Sequence, residues 1–354
     1  MDIRMGKQSM NNKIRDVLKS KKSIAIAAVA LLVIVPFMME HNIILRQSKY
    51  FYLLLSFICI YTIVTSGLDI LFGYTGQVSF GHAGFFCIGA YASVLMSHPE
   101  WGFGKWFGIT LPPILTIFLA ALIAALFGIL LSIPANKLVF HFLALLTIAF
   151  NYLVLLAVSN FAELTNGYIG ITRVPEINIF GFSFSTISSK YKYYYLVLFF
   201  TILFLIVKQH IVNSRIGRGF ISIRDNLMAA NGCGVNIRYY KTMSFAISAF
   251  YVGFAGALYA HMIGFISPDT FVQNTSVIFI TMLLFGGSGN LLGPILGATI
   301  ITTIQESLQP LADYRMLIYG IVILIIILFQ PKGIVGLGKN ISESMKRRGG
   351  EGNA

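Results

Sequence analysis

Residues 50–97 read YFYLLLSFICIYTIVTSGLDILFGYTGQVSFGHAGFFCIGAYASVLMS. Two apolar runs, 50–72 and 80–97, are parted by a short segment rich in glycine and polar side chains. Both runs are apolar nearly all round, as lipid or the inside of a helix bundle requires, and neither carries the one-sided stripe of a helix on a soluble core. A membrane-spanning helix needs roughly 20 apolar residues, so the stretch reads as two spans with a break between them. Around the break Thr75, Gln77, Ser79 and His82 gather in an otherwise apolar setting.

The rest of the chain has the same character. It has 354 residues, 56% hydrophobic and only 11% charged, with a mean hydropathy of +0.79. Soluble domains carry about 25% charged residues, so a water-facing surface is under-supplied by half. That excludes an ordinary globular enzyme, a disordered chain and a nucleic-acid-binding domain. Cys59, Cys87 and Cys233 lack metal-ligand spacing, and two of them sit in apolar runs. They point to neither a zinc site nor a disulfide framework, and no metal or cofactor is expected.

On the same length criterion ten spans are expected: about 23–39, 50–72, 80–97, 109–133, 138–160, 193–212, 242–263, 273–286, 292–308 and 315–330. The first follows Lys19, Lys21 and Lys22 and resembles a signal peptide. Met38-Met39-Glu40-His41 offers no small-residue cleavage site, so it reads as a retained helix. With both termini inside, 19 of the 26 Lys and Arg residues fall in inner segments and 7 in outer ones. This asymmetry follows the positive-inside rule and accounts for the net charge of +13. Lys208 is counted here with the inner segment 208–241, which leaves Asp69 and Glu306 as the charged residues within spans. Intramembrane carboxylates are functional candidates by default; the plainer reading is a helix-end residue or a carboxylate bonded to a neighbouring helix. The expected fold is an all-α integral membrane protein of about ten transmembrane helices, some interrupted by glycine, with both termini cytoplasmic. Its parts are a basic segment 1–22, a membrane region 23–331 and a tail 332–354.

Two places echo each other. Phe72-Gly73-Tyr74-Thr75-Gly76-Gln77 and Phe285-Gly286-Gly287-Ser288-Gly289-Asn290 both fit F-G-x-[ST]-G-[QN], and each ends one apolar run before another. Their equivalent placement argues for an internal repeat. Non-helical backbone at membrane depth survives only inside protein or along a water-filled cavity, and broken helices in corresponding halves point to a substrate path. The expected path residues are Asp69, Gly73, Thr75, Gly76, Gln77, Ser79, Gly81, His82, Gly286, Ser288, Gly289, Asn290 and Glu306. Asp69 is expected to orient the first hinge, with Thr75 and Gln77 as donors to it. Close helix packing by small residues is the competing reading for glycines such as Gly81, but it leaves the polar side chains unexplained.

The longest inner loop, 213–241, is expected to hold a short helix over 219–231. Phe220, Ile223 and Leu227 would stack on one face, and Gly232 and Gly234 would stop it. Its apolar stripe must be covered by the chain's own surface or by a groove on a partner; the residues alone choose neither.

Gly67–Phe85 resembles the signature of the branched-chain amino acid permeases of ATP-binding-cassette importers. Ser214–Asn236 is similar to that family's coupling loop, and Phe329-Gln330-Pro331-Lys332-Gly333-Ile334-Val335-Gly336 to its usual ending. The likeness covers roughly residues 50–336 and is nearest to the larger of the two permease subunits. It implies a partnership with a second homologous permease, two ATP-binding subunits and an extracytoplasmic binding protein, in the inner membrane of a bacterium. It also implies a coupling role for Arg218, Arg224, Asp225, Ala229, Ala230 and Gly234. The family pattern has acidic residues where Leu227 and Asn231 stand, and alanine where Gly232 stands.

Gly333–Asn340 nearly fits a phosphate-binding loop. Asn340 cannot supply the magnesium-binding hydroxyl, and the segment follows a membrane span rather than a strand. ATP hydrolysis is therefore expected on another chain. Two rivals stay open: an ion-coupled transporter or channel using Asp69, Glu306 and His82, and a permease for urea or short amides.

Overall fold

The structure, a computed structural model, describes residues 48–138, 140–179, 182–184 and 190–308, with 320, 321 and 324. Residues 1–52 and 53–354 form two units; the described part of the first, 48–52, is helical.

Eight of the ten expected spans fall on helices. These are α1 (Ser48–Asp69), α2 (His82–Ser97), α3 (Pro113–Ala135), α4 (Phe140–Asn160), α5 (Lys190–Asn213), α8 (Ile237–Ile263), α9 (Gln273–Gly286) and α10 (Leu292–Ser307). The spans expected at 23–39 and 315–330 lie outside the described residues, apart from helical positions 320, 321 and 324. Among the described residues five helical stretches are long and apolar enough to cross a membrane: 50–74, 113–135, 141–160, 191–213 and 237–263. Helices α2, α9 and α10 have only 16, 14 and 16 residues. At about 1.5 Å per residue they fall short of a hydrocarbon core of about 30 Å, and each adjoins a non-helical segment.

The described residues are mostly helical, as expected. Among them four short strands occur in the connections, Ile171–Thr172 pairing antiparallel with Phe265–Ile266, and Ile177–Ile179 with Phe182–Phe184. They are too short to register as a period-2 pattern.

The centre of the second unit is α8, packed against α3 and α2. Small residues set the distance. A Cβ on Gly89 would collide with the backbone of Gly253, and one on Gly128 would lie 2.7 Å from the Ala249 Cβ. Phe85, Phe86, Phe245, Phe254 and Phe279 fill the rest of the core. Two helices are apolar on their outward faces as well: α3 exposes Leu115, Leu122, Leu126, Leu130 and Ile133, and α4 exposes Phe142, Leu145, Leu153 and Leu156. A soluble fold cannot afford such faces. A lipid-embedded one requires them.

The loop expected to hold one helix holds two, α6 (Arg215–Asp225) and α7 (Leu227–Gly232). Asn226 breaks the run: its backbone is extended, and its Oδ1 accepts the N–H groups of Met228 and Ala229 at 3.0 Å. Phe220 and Ile223 are buried against the chain itself, Phe220 edge-on to Tyr240. Leu227, past the break, is exposed rather than part of their stripe. Gly234 follows in the left-handed conformation, φ +79°.

Candidate functional site

Both glycine hinges end a helix and then turn through a left-handed glycine at the same motif position. In the first, α1 widens into a π-helical turn over Ile70–Tyr74 before Gly76 at φ +70°. In the second, α9 ends at Gly286 and the chain turns through Gly289 at φ +73°. A side chain costs about 1–2 kcal/mol in that region, which is why glycine stands at both.

The two hinges touch. Asp69, at the end of α1, accepts the Gly289 backbone N–H on Oδ1 at 2.7 Å and the Lys208 ammonium on Oδ2 at 2.7 Å. Lys208 also donates to the Asn290 carbonyl at 3.3 Å. A Cβ on Gly73 would sit 2.6 Å from the Gly289 nitrogen and would clash with the Asp69 carboxylate. The pair is fully enclosed, with Lys208 1% and Asp69 0% exposed. Lys208, counted by sequence with the inner loop, belongs to the interior of α5. Thr75 and Gln77, expected as donors to Asp69, bond elsewhere. Thr75 Oγ1 donates to the Leu71 carbonyl at 2.5 Å, and Gln77 Nε2 donates to Thr75 Oγ1 at 3.0 Å and Ser244 Oγ at 2.8 Å. The backbone of one hinge and the cation of α5 take the carboxylate instead, because Asp69 faces across the bundle and not along its own chain.

Arg224, on α6, reaches the same place. Its Nη1 donates to the Gly73 carbonyl at 2.8 Å, and its other nitrogens pair with Asp225. A carbonyl in the last turn of a helix lacks an intrahelical partner and favours a cation; Arg224 supplies both.

Beyond the first hinge, residues 76–81 run without helix, and side chains of three helices take up their polar groups. The Phe80 N–H donates to Thr147 Oγ1 at 3.0 Å, and its carbonyl accepts from Gln273 Nε2 at 3.0 Å. The Ala83 N–H, at the start of α2, donates to Ser276 Oγ at 2.8 Å. His82 lies between Ser79 Oγ, 3.1 Å from Nδ1, and Ser248 Oγ, 2.8 Å from Nε2. Thr75, Gln77, Ser79 and His82 are all buried, and Gly81 packs on the Thr147 backbone. Among the described residues, two buried acceptors in and beside this segment, Gln77 Oε1 and Asn151 Oδ1, have no hydrogen-bond partner. Ser288 in the second hinge is exposed.

Glu306 stands apart from this cluster. It is half-buried and one residue from the end of α10. Of the loop residues, Arg218, Arg224, Asp225 and Ala229 are exposed and Ala230 is buried. Sequence reasoning missed Lys208, Thr147, Ser244, Ser248, Gln273 and Ser276. Lys208 in one expected span and Asp69 in another were the signal for a pair. Ser244 and Ser248, one helical turn apart in a third span, were the signal for a polar face.

Comparison with known proteins bears on what this cluster serves. The family model described as "Branched-chain amino acid transport system / permease component" matches residues 50–327, which takes in both hinges and the α6–α7 loop. The chain belongs to this permease family. The permease is 31% identical to the high-affinity branched-chain amino acid transport system permease protein LivM of Escherichia coli (strain K12), over 78% of this chain and 68% of that protein. It is 25% identical to the probable branched-chain amino acid transport permease protein LivM of Methanocaldococcus jannaschii, over 82% of this chain and 94% of that protein. A shorter match, 29% identity over 40% of this chain and 44% of the other, is to the autoinducer 2 import system permease protein LsrC of Salmonella typhimurium (strain LT2). No solved structure matches the permease.

Proposed function

We propose that the permease is the membrane subunit of an ATP-binding-cassette importer for branched-chain or related small amino acids. A second homologous permease completes the path, two ATP-binding subunits drive alternating access from the cytoplasm, and an extracytoplasmic binding protein delivers substrate. The chain sits in the inner membrane of a bacterium with about ten spans and both termini inside, its membrane region running over 23–331 between cytoplasmic ends 1–22 and 332–354. The residues of the two hinges, Asp69 to His82 and Gly286 to Asn290, flank the path, and residues 213–241 receive the ATPase.

The observation that carries this reading is the apolar knob on α7. Phe220 and Ile223 hold the loop against its own chain, while Leu227 and Met228 stand 44% and 87% exposed beyond it. A groove on a partner accounts for that pair, and an ion-coupled carrier has no use for it. Asp69 fits poorly as a proton carrier, because Lys208 and the Gly289 N–H occupy both its oxygens. The acceptors Gln77 Oε1 and Asn151 Oδ1, unpartnered among the described residues, suit a small polar substrate that donates hydrogen bonds.

The test is uptake of radiolabelled leucine by membrane vesicles from cells expressing the whole transporter, with ATP present and the proton gradient collapsed. Uptake continues if the reading holds. Uptake that stops with the uncoupler while ATP remains would sink it in favour of ion coupling, and Met228→Asp should release the ATPase from the membrane only in the first case.

A further inference from the structure

Lys208 and Arg224 belong to one corner of the chain. Helix α5 ends at Asn213, and Ser214 caps α6 by accepting the Ile216 N–H at 3.1 Å while donating to the Ile211 carbonyl at 2.6 Å. Gly217 packs directly on the backbone of Val212, where a Cβ would not fit. The Phe220 and Ile223 side chains are buried beneath α6. These contacts pack α5 and α6 against one another and place the two cations in one corner of the bundle.

Each cation ends on a hinge. Arg224 holds the Gly73 carbonyl of the first, and Lys208 holds the Asn290 carbonyl of the second. Between them Asp69 ties Lys208 to the Gly289 N–H. Well-packed apolar side chains often replace a buried ion pair without loss of stability, so the pair is weak evidence of a purely stabilising role. It sits where the corner meets both glycine hinges.

We propose that Arg224 and the Asp69–Lys208 pair are the positioning residues that carry movement of the α6–α7 segment to the two hinges, Arg224 pulling on the first and Lys208 on the second. The ion pair keeps the hinges in register so that they move together. This rests on the importer reading, and it adds which atoms transmit the stroke. A tilt of the corner that keeps these bonds must drag the π-helical turn at Gly73 and the turn at Gly289. A tilt that breaks them leaves ATP hydrolysis without a moving path.

The experiment uses the full transporter in proteoliposomes, measuring leucine taken up per ATP hydrolysed. Arg224→Ala is expected to assemble and hydrolyse ATP but to lose about tenfold in that ratio, within the range typical of coupling free energies. Arg224→Lys, which still offers a donor, should recover part of it. A second readout is thiol labelling at Ser79→Cys in a chain whose exposed Cys233 is changed to serine. Labelling should differ between nucleotide-trapped and nucleotide-free states with Arg224 present, and should cease to differ with Arg224→Ala. For the pair, Asp69→Asn with Lys208→Met should assemble normally and stay uncoupled. An unchanged ratio and unchanged nucleotide response in Arg224→Ala would overturn the role of Arg224, and full recovery of uptake in the double variant would overturn that of the pair. Absence of ATP-driven uptake in the unmodified transporter would instead refute the importer reading itself.

Discussion

Asp69 and Gly289 stand 220 positions apart in the chain, and the carboxylate of the first accepts the backbone N–H of the second at 2.7 Å. Around this bond the ends of α1 and α9 meet, with Lys208 closing the other carboxylate oxygen. The two glycine motifs, a loose echo in the sequence, are neighbours in space.

Stability should follow from that arrangement. Asp69→Asn keeps an acceptor for the Gly289 N–H but strands a buried ammonium, so a loss of about 3–5 kcal/mol is expected. Asp69→Leu should lose about 1–3 kcal/mol more, because the N–H is left unpaired as well. Adding Lys208→Met to Asp69→Asn should recover most of the loss. Denaturation of the purified permease in detergent measures each step, and a double variant no better than Asp69→Asn would show that Lys208 is not the partner that matters.

The crossing of α2 and α8 gives a steric prediction. Gly89→Ala places a methyl against the Gly253 backbone, a collision that no side-chain rotation relieves. Overpacking of this kind costs about 1–3 kcal/mol. Gly232→Ala, at the end of α7 with open space around it, should leave the melting temperature within experimental scatter. Equal melting temperatures for the two would contradict the close approach.

Thiol chemistry separates the two hinges in the resting protein. A cysteine at Ser288, which is exposed, should react with a water-soluble reagent, whereas cysteines at Thr75 and Ser79, 3% and 1% exposed, should stay inert until nucleotide is bound. Fast reaction at all three without nucleotide would mean that the segment 75–81 is open to water at rest.

In α7 the two alanines diverge. Ala229 faces outward and Ala230 is buried at 4% exposure. Ala229→Glu should fold normally and lose ATPase association in a pull-down, whereas Ala230→Glu buries an unpaired charge and should lower the yield of folded protein. Normal association in the Ala229 variant would place the docking surface elsewhere.

Five of the spans were legible because a bilayer demands a run of fixed length and composition, and 242–263 or 109–133 satisfies it with no help from tertiary contacts. The hinges were legible too, since glycine beside hydroxyl and amide groups inside an apolar run marks backbone that leaves the helix and needs polar partners. What held them was not. Asp69 has polar candidates within eight residues, and local spacing favours Thr75 and Gln77, but the bonds run to Lys208 and Gly289 across the bundle. Lys208 was lost because five positions from a helix end a lysine counts as well for the loop as for the membrane. The break at Asn226 could have been read: an asparagine before Leu227-Met228-Ala229 is a helix N-cap, and the continuous apolar spacing from Phe220 masked it.

The extended segment before α2 has a mechanical consequence. In a helix the partner of each backbone group is another backbone group fixed four residues away, and moving one means breaking several in concert. The Phe80 and Ala83 amides instead rest on the hydroxyls of Thr147 and Ser276, and the Phe80 carbonyl on the amide of Gln273. A hydroxyl is a rotor with one donor and two acceptor positions, able to follow a sliding backbone or trade one partner for a water as it goes. A shift at Phe80 or Ala83 therefore needs only one hydroxyl or amide to turn at a time, where a shift within a helix would break a ladder of bonds together.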